Sequence, residues 1–189
     1  IEAVKARFDV PVSLDTYKSA VAEAGLKAGA DLINDIWGLK YDEKMGPVIA
    51  KYGVPCCLMH NRENSDYRML IPDICADLEE SLAIAEDAGI DPDQIILDPG
   101  IGFGKTYEQN LAVIHHLEEL NRFDLPILLG TSRKSVIGLT LDLPAEERME
   151  GTLVTTVLAV EKGCSFVRVH DVRENVRAIR MARAILEAE

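Results

Sequence analysis

The chain has 189 residues, 48% hydrophobic and 28% charged, which suits one packed domain and leaves little room for two. A net charge of −12 with no block of basic residues argues against nucleic acid or an anionic membrane as the main partner. A few cations converging in a cleft could still hold a small anion. No stretch approaches the roughly 20 apolar residues of a membrane span and no signal peptide is visible, so a cytoplasmic protein is expected.

Short apolar runs alternate with longer amphipathic segments along the chain. Val12-Ser13-Leu14 ends at Asp15, and a helix is predicted from Tyr17 to Ala28. Asp31-Leu32-Ile33 ends at Asn34-Asp35, ahead of a helix over about 42–52. Val54 to Met59 ends at His60; a polar loop and a helix over about 73–88 follow. Gln94 to Leu97 ends at Asp98, and a loop bearing Gly100, Gly102 and Gly104 leads into a helix over about 107–121. Pro126 to Leu129 ends at Gly130. Thr131 to Ser135 open a helix, and another is predicted over about 145–162. Ser165 to Val169 reaches His170 before the last helix. Gly25 and Gly29, Gly53, Gly89 and Gly163 read as glycines that close helices.

Nearly all-apolar strands between helices are buried on both faces, which means a parallel sheet in an α/β fold. The count is six strand–helix units, whereas a (β/α)8 TIM-type barrel has eight. The expectation is therefore one barrel domain over residues 1–189, N-terminally incomplete, with two units ahead of Ile1. An open doubly wound sheet is the competing architecture, but no Gly-rich dinucleotide turn follows Leu14. Cys56, Cys57, Cys75 and Cys164 show no CxxC spacing and read as small buried hydrophobes. The four histidines lack the spacing of a zinc site.

The polar residues that could carry chemistry fall at strand ends. Asp15, Asn34, Asp98, Lys134, Arg168 and His170 all lie at or just past a predicted carboxyl end, and in a barrel these ends share one rim. Each alone reads more readily as a helix cap or a satisfied structural residue; six in register do not. Phe103 offers a flat face in the glycine loop, which suggests a planar ligand, while Lys105 reads as a solvated loop charge. The helix opening near Ser135 suits an anion, with an N-cap role as the alternative for that serine. Arg168 and His170 alternate about Val169 and so share a face, a pairing that suits phosphate oxygens.

Taken together, Ser13-Leu14-Asp15-Thr16-Tyr17, Ile33-Asn34-Asp35, Leu58-Met59-His60, the run from Asp98 to Lys105, Gly130 to Ser135 and Arg168 to Val172 resemble the dihydropteroate synthase family over nearly the whole chain. The resemblance implies a (β/α)8 barrel that condenses 6-hydroxymethyl-7,8-dihydropterin pyrophosphate with p-aminobenzoate, releasing pyrophosphate and dihydropteroate for folate synthesis. It implies that Asp98, Asn34 and Asp15 bind the pterin ring, between apolar walls from Met59, Phe103 and Leu128, with the Arg168 guanidinium stacked on it. Lys134 would lie near the pterin oxygen and the aminobenzoate, Arg168 and His170 would anchor pyrophosphate, and Ser135 with Lys134 and Phe103 would receive p-aminobenzoate. Asp98, Lys134 and Asp15 are the implied catalytic residues. Mg²⁺ is the implied cofactor, its family ligand expected upstream of Ile1 and none within this chain. A homodimer and a target of sulfonamides are implied as well. A pterin-binding methyltransferase barrel would share the Asp and Asn contacts but not Ser132 to Ser135 paired with Arg168 and His170. A non-catalytic pterin-binding module is the reading from outside enzymes.

Overall fold

The computed structural model describes residues 1–188. The chain divides into two compact units, Ile1–Asn61 with Ile74–Asp98, and Arg62–Asp73 with the chain from Pro99 onward. The first opens with a short α1 (Glu2–Lys5) and then alternates β1 (Ser13–Asp15), α2 (Ser19–Lys27), β2 (Leu32–Asp35), α3 (Met45–Tyr52), β3 (Cys56–Met59), α4 (Leu70–Asp87) and β4 (Ile95–Asp98). Its four strands form one sheet in chain order, every pair parallel. Parallel neighbours require a crossover, and the intervening helices supply it. Every residue of β3 and β4 is buried, as expected where a sheet is covered on both faces.

The register decides which side chains share a face. Asp15 pairs with Asn34, Asn34 with Cys57, Cys57 with Ile96, and Met59 with Asp98. Paired residues of parallel strands project to the same side, and side chains two apart on a strand do too. Asp15, Asn34, Met59 and Asp98 therefore share one face, with Cys57 and Ile96 level with Asp15 and Asn34, and Met59 and Asp98 a layer above them. The opposite face carries Leu14, Ile33, Cys56, Leu58, Ile95 and Leu97, of which Ile33, Cys56, Leu58 and Leu97 are fully buried. Each large aliphatic side chain buried there contributes about 1.5–3 kcal/mol.

The second unit contains α5 (Tyr107–His115), β5 (Leu128–Leu129), α6 (Ser135–Leu141), α7 (Met149–Glu161), β6 (Phe166–Val167) and α8 (Val172–Leu186). Its two strands pair in parallel, Leu128 with Phe166 and Leu129 with Val167, and the Arg168 N–H donates to the Leu129 carbonyl beyond them. Thr106 and Gln109 close a capping box on α5. Thr156 donates to Asn175 (2.6 Å), tying α7 to α8.

All six strands occur where the sequence places them, and the departures are local. The helix expected from about 73 begins at Leu70, because Pro72 in its first turn lacks only an N–H that would have no intrahelical partner there. The helix expected over 107–121 stops at His115 and continues as a 3-10 segment, Leu117–Phe123, closed by Asp124 in the left-handed region. The one expected over 145–162 is a short 3-10 turn, Ala145–Glu147, followed by α7. Gly25 does not end a helix: it lies inside α2, and Gly29, at φ +99°, follows the close.

Gly25 is needed for packing instead. A Cβ there would lie 2.2 Å from Leu14 Cδ2, so α2 approaches β1 as closely as it does only because this side chain is missing. Ordinarily alanine in a helix interior is about 1 kcal/mol better than glycine. Gly25→Ala is expected to reverse that sign, costing about 1–2 kcal/mol in urea denaturation, and Leu14→Ala in the same chain should relieve part of the cost. A stabilised single variant would show that this contact does not set the packing.

Candidate active site

In the first unit, Asn34 and Asp98 are each at most 2% exposed. Asn34 Nδ2 donates to Asp15 Oδ2 at 3.1 Å, which fixes the amide, yet its Oδ1 is buried with no hydrogen-bond partner among the described residues. An unsatisfied buried acceptor costs about 1–3 kcal/mol, and such an atom on a polar sheet face suits a ligand's N–H. Asp98 stands on the same face, in register with Met59. The face thus offers an acceptor and two carboxylates beside the thioether of Met59.

Two neighbouring polar residues serve the scaffold. Asp35, one residue beyond Asn34, projects to the other face and accepts the N–H groups of Trp37 (2.9 Å) and Leu39 (2.8 Å). Those bonds hold a turn in which Leu39 has φ +69°. Burial pushes the Asp35 carboxyl above its ordinary pKa, opposed by the two N–H donors, with the charge of Asp15 adding to the rise. His60 follows Met59; its Nε2 lies 2.9 Å from Asp77 Oδ2 on α4 and its N–H donates to the Asp98 carbonyl. It braces the end of β3 and β4. Cys56, Cys57 and Cys75 are buried, as expected, and burial lifts the Cys56 thiol to about 12; Cys164 is half-buried.

In the second unit, Gly130, Ser132, Lys134, Arg168, Val169 and His170 line a cleft of about 180 Å³. Arg168 Nη2 lies so close over Gly130 that a Cβ would sit 3.2 Å from it. Ser132 Oγ lies 2.8 Å from His170 Nδ1. The Lys134 ammonium lies 4.9 Å from the Phe103 ring centroid and donates to the Ile101 carbonyl. Lys134, Arg168 and His170 are thus gathered at one small opening, an arrangement made for an anion. Leu128, half-buried, begins β5 two residues before Gly130.

Some residues depart from their expected roles. Lys105 is no solvated charge: its ammonium donates to the carbonyls of Gly100 and Phe103, both at 3.1 Å, and knits the glycine loop from within. Phe103 is half-buried rather than exposed. Ser135 is exposed at the first position of α6 and not its cap, which is Lys134. Arg133, at φ +59°, forms a two-pronged ion pair with Asp171 (2.8 and 3.3 Å). Sequence reasoning assigned Ser132 no role of its own; its only signal was its place three residues past the end of β5, in step with His170, three past the end of β6. Among the described residues no group of three His, Cys, Asp or Glu is placed to hold a metal, and no helix is long and apolar enough to cross a membrane.

Gly130 permits the close seating of Arg168. Gly130→Ala should displace the guanidinium by a few tenths of an ångström while changing stability by less than about 1 kcal/mol, the exposed arginine being able to yield. Calorimetric titration with inorganic pyrophosphate should show binding weakened severalfold. Unaltered affinity would mean that Arg168 does not contact the anion.

The pterin binding enzyme family model matches residues 1–170. The chain is 60% identical to dihydropteroate synthase of Clostridium beijerinckii and 53% identical to that of Bacillus subtilis, in each case over 98% of its own length. It spans 70% and 65% of the length of these two curated relatives. Dihydropteroate synthase of Clostridium difficile, crystallised in the presence of pteroic acid, superposes with a TM-score of 0.96 at 46% identity, covering 97% of this chain and 70% of that one. The Yersinia pestis enzyme in a sulfonamide drug complex gives a TM-score of 0.94 at 39% identity, covering 100% and 71%. The fold class is accordingly the parallel α/β class of these synthases, the (β/α)8 TIM-type barrel. The chain belongs to the pterin-binding enzymes and, among them, to the dihydropteroate synthases, transferases of folate biosynthesis.

Proposed function

We propose that the residues described above bind 6-hydroxymethyl-7,8-dihydropterin pyrophosphate and p-aminobenzoate and join them into dihydropteroate with release of pyrophosphate. The observation that carries the reading is the buried Asn34 Oδ1, an acceptor without a hydrogen-bond partner among the described residues, on the sheet face that also bears Asp98 and Asp15. A pterin presents a guanidine-like edge. The Asp98 carboxylate would grip two of its N–H groups in parallel, and Asn34 Oδ1 would accept another. Asp15 holds the Asn34 amide in orientation. Met59, Phe103 and Leu128 would supply apolar contacts to the ring, and the Arg168 guanidinium a stacking surface.

The reaction breaks the carbon–oxygen bond to pyrophosphate, whose oxygen keeps the electron pair. Positive charge spreads from the methylene carbon into the pterin. Carboxylates at Asp98 and Asp15 stabilise that charge as it develops. Arg168 and His170 hold the departing anion, and Lys134 donates to it or to the pterin oxygen. The aminobenzoate nitrogen lone pair then forms the carbon–nitrogen bond and the amine loses a proton, with no strong base required. Ser135 would receive the aminobenzoate carboxylate, the group that a sulfonamide imitates.

Mg²⁺ is proposed to accompany the diphosphate and to offset its charge when bound, consistent with that ion's preference for phosphate oxygens and water. Among the described residues no three His, Cys, Asp or Glu side chains are grouped to hold a metal. A homodimer is proposed too; exposed Met181 and Ile185, one turn apart on α8, leave apolar surface for a second copy. A cytoplasmic location accords with four cysteines present as thiols.

Calorimetry with a dihydropterin, together with a coupled assay of pyrophosphate release, tests the proposal; a chain that binds neither dihydropterin nor pyrophosphate overturns it. Asp98→Asn keeps the shape but removes the charge, and should lower pterin affinity by about thirtyfold, the equivalent of about 2 kcal/mol. Unchanged affinity would remove Asp98 from the site. A bulkier side chain at Ser135 should weaken p-aminobenzoate and sulfonamide binding while leaving pterin affinity nearly constant. Equal loss for both ligands would indicate damage to the fold.

A further inference from the structure

We propose that Ser132 is a positioning residue that fixes the tautomer of His170, and through it the donor offered to the pyrophosphate anion; the inference rests on the reading of the cleft given above. Ser132 is 7% exposed, and two contacts meet at its Oγ. The backbone N–H of His170 donates to that oxygen at 3.2 Å, and His170 Nδ1 lies 2.8 Å from it. A hydroxyl has one proton and two acceptor sites. With the backbone N–H occupying one acceptor site, the hydroxyl proton of the neutral pair has Nδ1 as its hydrogen-bond acceptor. Any other direction leaves a buried O–H unsatisfied. The neutral imidazole is thereby held with its proton on Nε2. When the ring is protonated the hydroxyl rotates and accepts from Nδ1–H as well, and Nε2 still carries a proton. In both states the ring nitrogen not engaged by Ser132 is a donor, the polarity an anion requires, in a cleft it shares with Arg168 and Lys134.

The serine is itself held in place. On one side Thr131 Oγ1 lies 2.6 Å from Thr155 Oγ1, and on the other Arg133 pairs with Asp171. Those contacts join the loop after β5 to α7 and to the residue that follows His170. Ser132 therefore acts on the anion through His170 and needs no contact of its own with substrate.

The test is nitrogen-15 NMR of the His170 ring in the unliganded chain, above the pH at which the ring is protonated, with pyrophosphate titration in parallel. The unsubstituted chain should show the Nε2–H form alone. Ser132→Ala should give a mixture of tautomers and a loss of pyrophosphate affinity of about threefold to tenfold, and Ser132→Thr, which keeps the hydroxyl, should restore both. An Nδ1–H form in the unsubstituted chain overturns the inference, as does an unmixed Nε2–H form with full affinity in Ser132→Ala. If the tautomers behave as stated but the unsubstituted chain binds no pyrophosphate, the error lies in the reading of the cleft and not in the role of Ser132.

Discussion

The parallel register of the four-stranded sheet is the constraint on which the first half of the site depends. Asp15, Asn34, Cys57 and Ile96 stand at one level, and Met59 and Asp98 one layer above. A slip of one residue in any pair would exchange the two faces of that strand. Asn34 would then enter the apolar layer of Ile33 and Leu58, and Asp35 would leave the turn it holds. The apolar face resists such a slip, because Ile33, Cys56, Leu58 and Leu97 are fully buried there. Hydrophobic packing on one face thus fixes polar chemistry on the other, and the cost of an unpartnered amide oxygen at Asn34 is tolerable within a sheet so secured.

The second unit solves a different problem, that of gathering cations in a chain of net charge −12. Its cations are sorted by partner. Arg133 is engaged by Asp171, and Arg148 by the carbonyls of Leu143 and Arg133, both at 2.9 Å. These pairs shape the loop between β5 and α6. Lys134 is held over Phe103 and Arg168 over Gly130, positions in which both line the cleft. At a few ångströms such local charges outweigh a diffuse negative surface, which salt screens over roughly 10 Å.

Much of this was legible before any coordinates. The alternation of apolar runs and amphipathic segments located all six strands, because buried parallel strands need nearly continuous apolar sequence. The strand ends located Asp15, Asn34, Asp98, Arg168 and His170, because a strand's last residue is where backbone gives way to loop. What sequence could not supply was distance. Gly25 resembles any glycine near a helix end until Leu14 is found against it. Lys105 resembles any loop lysine until two carbonyls of its own loop turn inward to meet it. The break after His115 depends on a carbonyl pattern that residue types do not encode, and Ser132 gains its meaning only from a histidine 38 positions away.

Side-chain chemistry alone does not separate site from scaffold in this chain, since the same residue types serve both. Asp98 and Asp35 are both carboxylates at 1% exposure beside β-strand ends. Asp35 occupies its oxygens with Trp37 and Leu39, and it projects to the packed face. Asp98 lies on the face of Asn34 and Met59. The histidines divide in the same way: His60 is closed in against Asp77 on α4, whereas His170 uses one nitrogen for Ser132 and lines a cleft with the other groups that suit an anion. Arg133 and Arg168 divide by place as well, one pairing with Asp171 beside α6 and the other lying over Gly130 where it lines the cleft. Strand parity comes first, because it assigns each side chain to the packed or the polar face. Position then divides them further: a polar group closed into a turn or against a helix serves the fold, and one that stands on the polar face or lines the cleft is placed to meet a ligand.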